Sequence, residues 1–167
     1  MAAIQINNIQ ALIDDIERQK LRVLGKITAG VRAVAAAVFT DLVQNTPQYS
    51  GNLVLNWRIA FGPWTANYRQ NPSYGVRTKN PYKRGDNPAV AQALESELFK
   101  LDSARWNSKI KIINTAPYAD EVEAGKGPNG QPLRSVNLTN DGVVMASVIS
   151  LKYQLGGAAV QKAIRDL

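Results

Sequence analysis

Residues 8–44 read NIQALIDDIERQKLRVLGKITAGVRAVAAAVFTDLVQ, and this stretch decides the fold. Ile9, Leu12, Ile13, Ile16, Leu24, Ile27, Val31, Val34, Val38 and Leu42 recur mostly three or four positions apart, the spacing that gathers side chains onto one face of a helix. A long amphipathic helix is expected, with a reach of roughly 50 Å. Gly25 and Gly30 are places where it could bend, or divide into two shorter helices folded on one core, and Pro47 must stop it. A single helix of that length carries part of its apolar stripe beyond the reach of a small domain's own core. That points to packing against a neighbouring copy.

Beyond this helix, residues 52–62 alternate Leu53, Leu55, Trp57 and Ile59 against Asn52, Val54, Asn56 and Arg58, which predicts a strand. Residues 63–88 contain Pro63, Pro72, Gly75, Pro81, Gly85 and Pro88. So many breakers predict a long loop or hairpin extension, a candidate contact surface. Pro88 then opens a second helix to Leu101, with Val90, Leu94, Leu98 and Leu101 on one side and Glu95 and Glu97 on the polar side. Residues 109–114 alternate Lys109, Lys111 and Ile113 against Ile110, Ile112 and Asn114, a short strand expected to pair with the Leu53 strand. After the turn cluster at 125–130, residues 141–155 suit a helix, although 143–151 could equally be a strand, and Gly156-Gly157 interrupts before 158–167. No repeat or heptad array is present. The expectation is one α+β domain over residues 1–167, a long N-terminal helix packed on a small, mainly antiparallel sheet with additional helices.

The composition narrows the chemistry. The chain has 167 residues, 45% hydrophobic and 20% charged, enough apolar material for a core, and it contains neither cysteine nor histidine. Disulfides, thiolate or imidazole metal sites and nucleophile–histidine arrangements are therefore excluded. Asp120, Glu121 and Glu123 could join Asp14, Asp15 or Asp141 in a carboxylate site, but no spacing supports one, and no phosphate loop or dinucleotide fingerprint occurs. No catalytic residue, cofactor or metal is expected. The first twenty residues carry Asp14, Asp15 and Glu17 without a basic start, unlike a secretory signal. The longest apolar run, 33–39, is too short for a membrane helix, so no membrane contact is expected.

Two patches carry most of the information. In the first, Thr46 and Pro47 stop the helix, Gly51 permits a turn with positive φ, and Leu53 and Trp57 supply inward-facing bulk after Ser50 and before and after Asn56. In the second, a strand ends at Asn114, Pro117 enters a short helical segment with Tyr118, Ala119, Asp120 and Glu123, and Gly125 ends it.

In this order, preceded by a long helix, the patches resemble the neck and tail-completion (head–tail joining) family of tailed bacteriophages, to which the minor tail protein Z of lambda-like phages is related. Thr46, Pro47, Ser50, Gly51, Leu53, Asn56 and Trp57 match the family's first element, and Asn114, Pro117, Tyr118, Ala119, Glu123 and Gly125 its second. Gln131-Pro132-Leu133-Arg134 is a looser echo of a third. The resemblance implies a structural virion protein, assembled in the host cytoplasm. It would form a homo-oligomeric ring at the neck, between the connector or head-closure proteins and the tail or its terminator. DNA would pass through the lumen without sequence-specific binding. A ring of identical subunits closes through a heterologous interface.

The net charge of +7 is unevenly placed. Arg58, Arg69, Arg77, Lys79, Lys83 and Arg84 lie between Pro47 and Gly85 without a single acid, interleaved with Trp57, Trp64, Tyr68, Tyr74 and Tyr82. Arginine with aromatics suits phosphates and unstacked bases. It equally suits an acidic face of a neighbouring subunit, with Tyr and Arg as anchors, and a channel that gripped phosphates would slow DNA. The alternative function is a basic nucleic-acid-binding protein acting as a monomer or dimer.

Overall fold

In the computed structural model, residues 9–46, 51–63, 67–68 and 87–126 are described. The expectations for Pro47, Ser50, most of the 63–88 loop and residues 127–167 lie outside them. The architecture is α+β. Helix α1 (Ile9–Asn45) leads to strand β1 (Trp57–Phe61), helix α2 (Pro88–Leu98), strand β2 (Ile110–Asn114) and the short helix α3 (Ala119–Glu123).

α1 runs unbroken for 37 residues, so the division into two helices does not occur. Alanine, leucine and arginine around Gly25 and Gly30 supply enough helix propensity to offset the two glycines. The helix closes on Thr46, whose backbone N–H donates to the Leu42 carbonyl at 3.0 Å and whose Oγ1 donates to the same oxygen at 2.7 Å. Only its C-terminal part enters the core: Ala35, Phe39, Leu42 and Val43 are buried against Val54, Trp57 and Ile59, and against Ala89, Val90 and Ala93 of α2. Arg32 fixes the middle of α1 to the rest of the domain, its guanidinium donating to the carbonyls of Ala104 at 2.8 Å and Asp102 at 2.5 Å.

The strand expected over 52–62 is corrected in its first half. Gly51 (φ 71°) turns the chain, the Leu55 N–H donates to the Gly51 carbonyl at 2.9 Å, and Val54–Asn56 form a short 3-10 helix. Asn52 and Asn56 favour this local geometry because their amides can bond nearby backbone: the Asn56 side chain donates to the Asn52 carbonyl at 2.7 Å. The strand proper, β1, pairs with β2 antiparallel, Trp57 opposite Asn114, Ile59 opposite Ile112 and Phe61 opposite Ile110. The pairing with residues 109–114 is as expected, with Lys109 and Lys111 exposed on one face.

α2 starts as expected, Asn87 accepting from the Ala89 N–H at 2.9 Å ahead of Pro88 in the first turn. It ends at Leu98 and tightens into a 3-10 helix over Phe99–Ser103 rather than continuing to Leu101. The placement of Glu97 on a polar face is wrong: Glu97 is buried, and it accepts from the Ile59 backbone N–H at 2.8 Å and pairs with Arg58 at 3.2 Å and Lys100 at 2.5 Å. Val90, Ala93 and Glu97 share one helix face, and the carboxylate is tolerated there because β1 brings a cation and a free backbone donor to it.

By length and composition α1 is able to cross a membrane, with a mean hydropathy of 1.5 over its best 18-residue window. This corrects the expectation that no segment reaches that threshold. Arg32, however, is bonded to backbone carbonyls of the same domain, and Ala35 and Phe39 are in its core. The C-terminal half of α1 is thus an element of a folded domain.

Candidate functional site

The two motif patches, about sixty residues apart in sequence, meet at one corner of the domain. Trp57 places its indole in the core and donates Nε1–H to Thr46 Oγ1 at 2.7 Å, tying the first strand to the end of α1. Asn114, at the end of β2, donates through Nδ2 to the Leu53 carbonyl at 2.9 Å and accepts through Oδ1 from the Ala116 N–H at 3.0 Å. One side chain therefore stitches the first patch to the second and shapes the turn that follows. Thr115 repeats the link, its N–H donating to the Asn56 carbonyl at 2.9 Å and its hydroxyl to Asn56 Oδ1 at 3.0 Å.

Asn52 sits at the centre. Fully buried, it donates to the hydroxyl of Tyr118 and, at 2.6 Å, to that of Tyr68. Leu53, Ala116 and Val122 form a small apolar cluster beneath, with Tyr118 and Ala119 packed on it. Pro117 stands exposed two residues ahead of α3 and does not enter its first turn. Gly125 (φ 71°) closes α3, its N–H donating to the Val122 carbonyl at 2.9 Å. Glu123 lies with Asp120 along a cleft of about 240 Å³ floored by Leu53, Trp57 and Ile112.

Chemically the corner is a set of satisfied amides and hydroxyls. Among the described residues no group of three or more Asp, Glu, His or Cys could hold a metal ion. Asn52, Asn56, Asn114 and Thr115 bond backbone and one another, which is how buried polar groups fix one geometry. The corner holds a shape.

The basic loop fares differently. Arg58, taken with Arg69, Arg77, Lys79, Lys83 and Arg84 as interface or DNA-facing, is instead buried in β1 against Glu97, because its strand position points it at α2. The other five lie outside the described residues. Arg32, Asn52 and Glu97 were missed as structural anchors. Their signal was a polar residue at core spacing, Arg32 with Ala35 and Phe39, and Glu97 with Val90 and Ala93.

No family model, curated protein or solved structure matches the chain at a significant level.

Proposed function

We propose that the chain is a structural protein of a bacteriophage neck, forming a homo-oligomeric ring that completes the head-proximal end of the tail and joins it to the head connector around a channel for DNA. The observation that supports this reading is the contact between the two family-like patches: Asn114 bonds Leu53 and Thr115 bonds Asn56, with Asn52 bonding Tyr118 beside them. Leu53 and Asn114, both matched by the resemblance, bond one another, as residues of one shared motif would. The exposed half of α1 gives a neighbouring subunit a surface. No cofactor, metal or membrane takes part. The partners are further copies, the connector or head-closure proteins, and the tail or its terminator.

The competing reading, a basic nucleic-acid-binding protein, loses Arg58 from its surface, since that side chain is spent on Glu97.

The test is joining itself. A phage whose copy of this reading frame is stopped is expected to accumulate separate heads and tails, and purified protein added to the extract is expected to join them. Normal particles without the protein would contradict the proposal.

A further inference from the structure

The two ends of β2 carry opposite charge. Residues 103–111 contain Arg105, Lys109 and Lys111 and no acid, whereas residues 112–125 contain Asp120, Glu121 and Glu123 and no base. Asp102 and Lys126 border the two stretches. Arg105, Lys109, Lys111, Asp120 and Glu121 are all exposed.

Each end also carries an apolar feature, and the two have opposite shapes. Ahead of β2, residues 105–108 close a tight turn, the Ser108 N–H donating to the Arg105 carbonyl at 3.0 Å and the Arg105 N–H to Ser108 Oγ at 2.8 Å. Trp106 stands on this turn, 50% exposed, between Arg105 and Lys109. Arg32 holds the root of the turn by donating to the Ala104 carbonyl at 2.8 Å, so the indole is presented from a fixed base. At the other end lies the cleft of about 240 Å³ between β2 and α3, floored by Leu53, Trp57, Ile112 and Val122, with Asp120 and Glu123 in its lining. It has room for one aromatic side chain.

The knob and the cleft of one chain do not meet. No residue of the turn lines the cleft. The five residues of β2, at about 3.3 Å each, put roughly 15 Å between its ends. A symmetric pair through either feature would set base against base or acid against acid. A head-to-tail contact between copies brings knob to cleft and base to acid at once.

We infer that the turn at residues 105–108 of one copy docks in the β2–α3 cleft of the next, Trp106 filling the cleft and Arg105 and Lys109 lying beside Asp120 and Glu121. The indole supplies apolar area from a rigid anchor, and the charges set its orientation. The contact is heterologous, the kind that closes a ring. It rests on the homo-oligomeric part of the neck reading and on nothing specific to phage.

Charge reversal tests the contact without touching the core. A chain with Arg105→Glu and Lys109→Glu, and a second with Asp120→Lys and Glu121→Lys, are each expected to lose self-association in native mass measurements while keeping their circular dichroism. Mixed in equal amounts, they are expected to regain it as oligomers in which the two chains alternate. Trp106→Ala should weaken association about tenfold or more in a chain that still folds. Because the protein has no cysteine, Asn107→Cys and Ala119→Cys on separate chains, mixed and mildly oxidised, should cross-link faster than either does with Glu95→Cys as a collision control.

Loss of association in both reversed chains without rescue on mixing overturns the inference. So does a Trp106→Ala chain that associates like its parent. A disulfide closed within one chain carrying both Asn107→Cys and Ala119→Cys overturns it too, seating the turn on its own cleft, as does a chain that stays monomeric with no cross-link above the control. Rings on micrographs that survive both reversals keep the neck reading and reject this contact. Rescue on mixing together with the cross-link, in open filaments and no closed ring, keeps this contact and rejects the ring.

Discussion

The indole N–H of Trp57 donates to the hydroxyl of Thr46 across 2.7 Å of buried space, and that hydroxyl in turn donates to the Leu42 carbonyl at 2.7 Å. A strand, the residue that ends the helix and a carbonyl of the helix's last turn are thereby joined through one oxygen. Thr46→Val keeps the shape but leaves the indole donor buried without its acceptor, and a loss of about 1–3 kcal/mol in unfolding free energy is expected. Trp57→Ala removes the packing as well and should lose about 3–5 kcal/mol. Urea titration of each variant reads both, and equal losses would show that the hydrogen bond, not the ring, dominates.

Glu97 binds β1 to α2 through a charge with almost no access to water. Glu97→Ala strands Arg58 in the core and is expected to destabilise the fold by about 3–5 kcal/mol. Arg58→Met combined with Glu97→Leu removes both charges and should recover most of that loss, although the Ile59 N–H gives up its acceptor. A double variant no more stable than Glu97→Ala would mean that the backbone bond to Ile59 carries the effect.

Arg32 links the α1 midpoint, through a charged donor, to the end of the 3-10 helix after α2 and the residue that caps it. Arg32→Met keeps the stem and leaves two carbonyls without their partner, with an expected loss of about 1.5–3 kcal/mol. Amide hydrogen exchange should rise first around Asp102 and Ala104.

Arg77→Glu with Arg84→Glu is expected to leave the chain folded and to block joining of heads and tails, because the acid-free loop is read as a docking surface. Particle joining by the double variant at the normal rate would remove that loop from the interface.

Much of this was legible in the residues. The three-and-four spacing of α1, Pro88 behind an N-capping Asn87, and the short alternation at 110–114 each use a local rule that tertiary contacts did not override. The failures have one cause. In residues 52–56 the amides of Asn52 and Asn56 bonded nearby backbone and wound the chain into a turn, so the apparent period of two belonged to no strand. Arg58 and Glu97 each read as surface charges; each became buried because the other was waiting across the β1–α2 interface, and a partner 39 positions away leaves no local trace. The corner of the candidate site was half visible: Gly51 and Gly125 announced their positive φ, whereas the bond from Asn52 to Tyr118 depended on the whole fold.

Whether the chain builds the proposed ring is read from the mass of the purified native protein. A closed oligomer of fixed subunit number, whose micrographs show an open central channel, is expected. A stable monomer that binds duplex DNA tightly, with affinity falling steeply as salt is raised, would contradict it.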